Sequence, residues 1–207
     1  MSIVQICNRG ASQYLGLGRI NSLEEGSPQA EQYELHYNDL RRSLLEKHWW
    51  TFAKTRQALA LGLNDRKSEW AFKYNRPAGV VDIHWVNDPT VARYKKNKND
   101  NPDCDRETSG QSIYCDVPLC YIEFTRDEEN TDIMPQYFKD ALSAMIAAAV
   151  AMPLTESVNR AKFAAEQAQI MIDIAIAEDE QNAPPIRMPD ADYIDARGAA
   201  DNWNGSR

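Results

Sequence analysis

The chain has 207 residues, 43% of them hydrophobic and 26% charged, with a formal net charge of −8. That is enough for a sizeable core in one domain, or one domain with an insertion, while the acidic balance excludes a chain whose whole surface is built to grip nucleic acid. The most apolar stretch, "ALSAMIAAAVAM", is too short and too alanine-rich for a bilayer span, and "MSIVQICNRG" lacks the flank and apolar run of a signal peptide, so the expectation is a soluble intracellular protein with no membrane partner.

Residues 2–15 read as a short helix with Ile3, Ile6 and Cys7 on one side, followed by the turn-rich "YLGLGRINSLEEGSP". The next helix start is sharply marked: Ser27 at the N-cap, Pro28 at the first helical position and Glu31 in the first turn. Tyr33, Tyr37, Leu40 and Leu44 then recur at steps of four, three and four, which predicts a helix over 28–48; Glu31, Glu34, Asp39, Arg41 and Arg42 fall largely off that stripe. "HWWTFAKTRQALAL" reads as a helix end running into a strand. From 52 to about 125 the helical period vanishes. "EWAFKYN", "GVVDIHWV", "SIYCDV" and "CYIEFT" are short aromatic and β-branched runs separated by turn clusters, the pattern of a small antiparallel sheet or partial barrel.

The helical signal returns at 132. "DIMPQYFKDALSAMIAAAVAMP" places Pro135 in the first turn, gives Phe138, Leu142, Met145, Ile146, Ala149 and Val150 a broad apolar face, and is expected to end at Pro153. A last helix, capped by Thr155 or Ser157, runs to about 181. Phe163, Ile170 and Ile174 lie near one stripe, with Ile172 and Ile176 beside it. Its acidic end, "EDEQ", opposes the helix dipole and reads either as a solvated end or as a face for a basic partner. The fold class is α+β: an antiparallel helical bundle domain (1–50 and 132–182), an inserted small antiparallel β domain (51–131) and an extended C-terminal tail (183–207).

No catalytic motif is present: GxSxG, HExxH, the P-loop and GxGxxG are all missing. "YLGLGR" lacks the strand and helix that a phosphate-binding glycine turn needs. Glu24-Glu25 and Glu128-Glu129 read as acids facing water. The expectation is therefore no enzyme, no catalytic residue and no cofactor. Cys7, Cys104, Cys115 and Cys120 contain no CxxC pair and match no zinc-ribbon spacing. His84 could in principle complete a ligand set with the last three, but the reading is free thiols in a reducing compartment, with no metal. Arg93, Lys95, Lys96 and Lys98 form one basic cluster, a possible contact to phosphate, but acids follow at once and a solvated loop tip is the plainer reading.

Four features in order resemble the tail tubular protein A family, the head-to-tail adaptors (connectors) of short-tailed, podovirus-type phages. They are "NDLRRSLLEKHWWTFAKTRQALAL", "SGQSIYCD", the Met-Pro step into "MPQYFKDALSAMIAAAVAMPLTES", and a long amphipathic last helix leading into a polar tail. The resemblance covers most of the chain, and "SGQSIY" is its most distinctive short match. It implies a structural virion protein assembled in the host cytoplasm into the phage tail. It also implies partners: self, in a ring of twelve copies, the portal ring above and the tail nozzle below. DNA would pass through the channel without specific binding, as an acidic lining allows. The alternatives are a DNA-binding or a cell-wall-degrading tail component.

In that setting the end of the chain takes on a purpose. Residues 183–207 would reach roughly 80 Å if extended, at about 3.3 Å per residue. Ile186, Met188, Tyr193, Ile194 and Trp203 are spaced anchors, the prolines lower the entropy lost on pinning, and Arg187 and Arg197 can pair with carboxylates. The tail is expected to grip the portal or a neighbouring adaptor.

Overall fold

The computed structural model describes residues 1–87 and 104–182. Among them are four α-helices and two antiparallel sheets, an α+β fold. Helix α1 (Ile3–Gly10) starts with a reciprocal capping box between Ser2 and Gln5 and runs into one π-helical turn, Ala11–Leu15. Helix α2 (Pro28–Lys47) begins where the Ser-Pro signal places it. The Ser27 hydroxyl accepts from the Ala30 N–H, satisfying one of the donors a helix start leaves open. Its buried stripe is Tyr33, Tyr37, Arg41, Leu44 and Leu45.

Arg41 thus departs from the sequence reading. It is 2% exposed and donates to the Asp127 carboxylate at 2.5 Å and the Glu128 carbonyl at 2.6 Å. Its three-methylene stem lets an arginine sit on an apolar stripe while its guanidinium finds carboxylate beyond it. Glu128 departs likewise: it is buried, pairs with Arg126 and accepts from the Asn130 N–H.

Helix α3 (Gln136–Thr155) is buried on nearly every side, against α1, α2 and the last helix, α4 (Val158–Asn182). By length and composition α3 alone among the described helices could cross a membrane, yet 61% of its most apolar window is already buried inside the chain. Phe138, Leu142, Met145 and Ile146 are all interior. At the α1–α3 crossing Gly10 lies so near the Ser143 backbone that a Cβ there would sit 2.0 Å from the Ser143 carbonyl oxygen. Pro153 does not end α3. The helix continues to Thr155 and stops at Glu156, whose left-handed backbone (φ 50°) returns its N–H to the Met152 carbonyl. A proline so close to a terminus removes a single ladder bond, and the left-handed residue supplies the stop.

Strands β1 (Lys54–Ala58), β7 (Tyr121–Arg126) and β4 (Val80–Asn87) form one sheet in that order. Strands β2 (Ala60–Leu61), β3 (Phe72–Asn75), β6 (Ser112–Cys115) and β5 (Arg106–Ser109) form the other. The β5–β6 pair closes on Gly110-Gln111, with positive φ at Gly110 alone, the two-residue turn glycine permits. "SGQSIY" is this hairpin tip. Two apolar clusters result. One joins α1, α2, α3 and α4, drawing on both ends of the described chain; the other lies between the sheets, around Tyr74, Val86, Ile113, Ile122 and Phe124.

Candidate interaction surface

Helix α4 packs in a way that large-apolar periodicity does not suggest. Its inward face is Ala164, Ala168, Ile172, Ala175 and Asp179, and the three alanines let it lie close against alanine-rich α3. The outward face carries Phe163, Ile170 and Ile174, at 48%, 47% and 44% exposure. Steps of seven and four keep these three on one helical stripe, with Lys162, Glu166 and Asp173 exposed around them. Single exposed apolar side chains are ordinary; an aligned set on one rigid element marks a contact surface.

Both ends of this helix are fixed. Near its start Arg160 donates to the Leu15 carbonyl at 3.2 Å. Near its end Asp179, 1% exposed, accepts from the Thr51 N–H at 3.0 Å, the Thr51 hydroxyl at 2.7 Å and the Tyr137 hydroxyl at 2.6 Å. His48 Nε2 stands 3.3 Å from the same carboxylate. Burial, and then the hydrogen bond to Asp179, push the Tyr137 phenol up to about 12. One of the three acids at the end of α4 is therefore neither solvated nor free for a basic partner: it ties the helix to the turn that enters β1.

The two tryptophans just before that turn face opposite ways. Trp50 is fully buried, donates to the Leu44 carbonyl at 2.8 Å, and meets Phe138 edge-on at 5.0 Å. Its neighbour Trp49 points the other way, stacking on His84 at 4.5 Å and donating to Asp82 at 3.0 Å. His84 is buried, its Nε2 2.7 Å from the Thr125 hydroxyl. Burial pushes its imidazole down to about 4, against the pull of Asp82.

The structure brings Cys104, Cys115 and Cys120 together, with all three sulfurs within 4.8 Å of one another and the last two 3.4 Å apart. His84 is not in this group; its ring is committed to Trp49 and Thr125. Reading cysteine spacing along the chain missed the cluster, because Cys115 ends β6 and Cys120 precedes β7 across a turn that only the fold closes.

Arg93, Lys95, Lys96 and Lys98, and the tail anchors Ile186, Arg187, Met188, Tyr193, Ile194, Arg197 and Trp203, lie outside the described residues. No protein-family model matches the chain, and no curated protein matches its sequence.

Proposed function

We propose that this chain is a ring-forming structural protein of a short-tailed phage virion, the adaptor between the portal and the tail nozzle. The reading rests on the resemblance in "NDLRRSLLEKHWWTFAKTRQALAL", "SGQSIYCD" and "MPQYFKDALSAMIAAAVAMPLTES". The structural observation that supports it best is the outward stripe of α4. A closed ring needs a heterologous contact, in which one face of a protomer meets a different face of the next. Phe163, Ile170 and Ile174 offer such a face on a helix anchored at both ends, so little ordering cost attends its use.

In this reading the helices are an adaptor domain formed by 1–50 and 132–182, the strands an inserted domain over 51–131, and 183–207 a segment captured by the portal or a neighbouring copy. The net charge of −8 suits a conduit through which DNA slides rather than one that holds it.

The test is to purify the chain with the portal ring of the same phage and weigh the complex intact. Twelve copies per portal ring is the expected result; a single copy beside the portal overturns the reading. Deleting 183–207 should leave the fold unchanged and abolish stable docking, and undiminished docking would remove the tail from the proposal.

A further inference from the structure

The thiol cluster has no part in the reading above, yet its construction is specific. Cys115 closes β6, Cys120 leads into β7, and Cys104 precedes β5, where its N–H donates to the Val86 carbonyl at 3.0 Å and fixes it beside β4. The three therefore come from both sheets and meet at one edge of the core between them. Bringing Cys120 back onto Cys115 puts Leu119 at φ 61°, a left-handed conformation that is unfavourable for a leucine. The Val117 carbonyl lies 3.2 Å from the Cys120 sulfur and 3.7 Å from that of Cys115. Cys115 and Cys120 are buried and Cys104 is partly open to solvent.

We propose that Cys104, Cys115 and Cys120 bind one thiophilic d10 ion, zinc, through three sulfur ligands, with the fourth position open to water on the Cys104 side. Zinc–sulfur bonds of about 2.3 Å in a tetrahedral arrangement hold sulfurs about 3.8 Å apart, and the observed separations, from 3.4 Å to no more than 4.8 Å, bracket that value. No histidine or carboxylate joins the three among the described residues, which leaves a three-sulfur set, the ligand type that selects soft ions. Zinc takes the place of the thiol protons, which leave to solvent as it binds. The ion clips the two sheets at the edge where they meet.

The rival use of these sulfurs is a Cys115–Cys120 disulfide, which requires about 2.05 Å and leaves Cys104 without a role. The experiment uses the full chain purified from a reducing cytoplasm under a non-thiol reductant, loaded with Zn2+ and, separately, Co2+. Expected are one zinc per chain after dialysis, a sulfur-to-cobalt charge-transfer band, and a loss of affinity of at least about 100-fold in Cys104→Ser, with Cys7→Ser unchanged. Cys104→Ser is the chosen variant because its side chain is the least enclosed, and its fold is checked by circular dichroism. A Co2+ spectrum without the charge-transfer band, zinc binding equal in wild type and Cys104→Ser, or a Cys115–Cys120 disulfide in the freshly purified protein each overturns the proposal.

Discussion

Asp179→Ala removes the carboxylate that anchors the end of α4. Three donors lose their acceptor: the Thr51 N–H, the Thr51 hydroxyl and the Tyr137 hydroxyl. Hydrogen bonds to a charged acceptor contribute about 1.5–3 kcal/mol each, so simple addition gives roughly 4.5–9 kcal/mol. That sum overstates the cost. Thr51 is exposed, so water can reach both of its donors once the carboxylate is gone, and losing an anion from a helix C-terminus recovers up to about 1 kcal/mol. The expected loss is about 3 kcal/mol. With a urea m-value of about 2 kcal/mol/M, the unfolding midpoint falls by about 1.5 M. Asp179→Asn, which keeps one acceptor but turns an amide toward a donor, should lose about half as much. Thr51→Val supplies the partner for a double-mutant cycle, and the coupling with Asp179→Ala should exceed about 1 kcal/mol. Independent, additive effects, or an Asp179→Ala protein within 1 kcal/mol of wild type, would refute the anchor.

At Gly10 an added methyl meets backbone rather than a movable side chain, so Gly10→Ala should force α1 off α3 and cost more than about 3 kcal/mol by thermal or urea unfolding. His84 titrates lower when folded, at about 4 against 6.5; its contribution is complete above pH 6.5 and is lost as pH falls toward 4, by up to about 3 kcal/mol. Urea midpoints across that range should therefore fall less steeply for His84→Gln than for wild type, once each is referred to its own value at pH 7.5. Ile170→Asp, on the exposed stripe, should change stability by about 0.5 kcal/mol or less and leave tail-mediated docking intact, yet prevent lateral closure, so that intact mass shows portal rings carrying fewer than twelve copies.

Local chemistry made the helices legible. Ser27-Pro28 signals a helix start wherever it stands, and the cap forms there. The aromatic and β-branched runs announced β3, β4, β6 and β7 because half-buried strands select those side chains. β5 was not legible: "RETS" has no strand pattern and is extended because the Gly110 turn folds it onto β6. The buried positions of Arg41, Glu128 and Asp179 are invisible in the sequence for a shared reason. A polarity scale sends charged residues outward, and nothing in a one-dimensional pattern shows that Arg41 will meet Asp127, or Asp179 will meet Thr51, across more than eighty residues of chain. The thiol cluster was hidden the same way, since ligand motifs are recognised by spacing and this one is set by strand pairing.

The α4 stripe also bears on how a ring of the proposed kind would form. Phe163, Ile170 and Ile174 are already about half buried within the protomer, so covering the remainder contributes about 1 kcal/mol each, against about 1.5–3 kcal/mol for a fully exposed side chain of this size. Three such contacts total roughly 3 kcal/mol, less than the 4 kcal/mol or more that association costs in lost translational and rotational freedom. The stripe alone therefore cannot close a ring from free protomers at micromolar concentration. It can do so when a template holds neighbours side by side, because each contact then forms at high effective concentration and most of that cost has already been met. A portal ring gripping one tail per protomer is such a template. The proposal thus carries its own order of events: docking first, lateral closure second, and a monomer in solution until the portal is present.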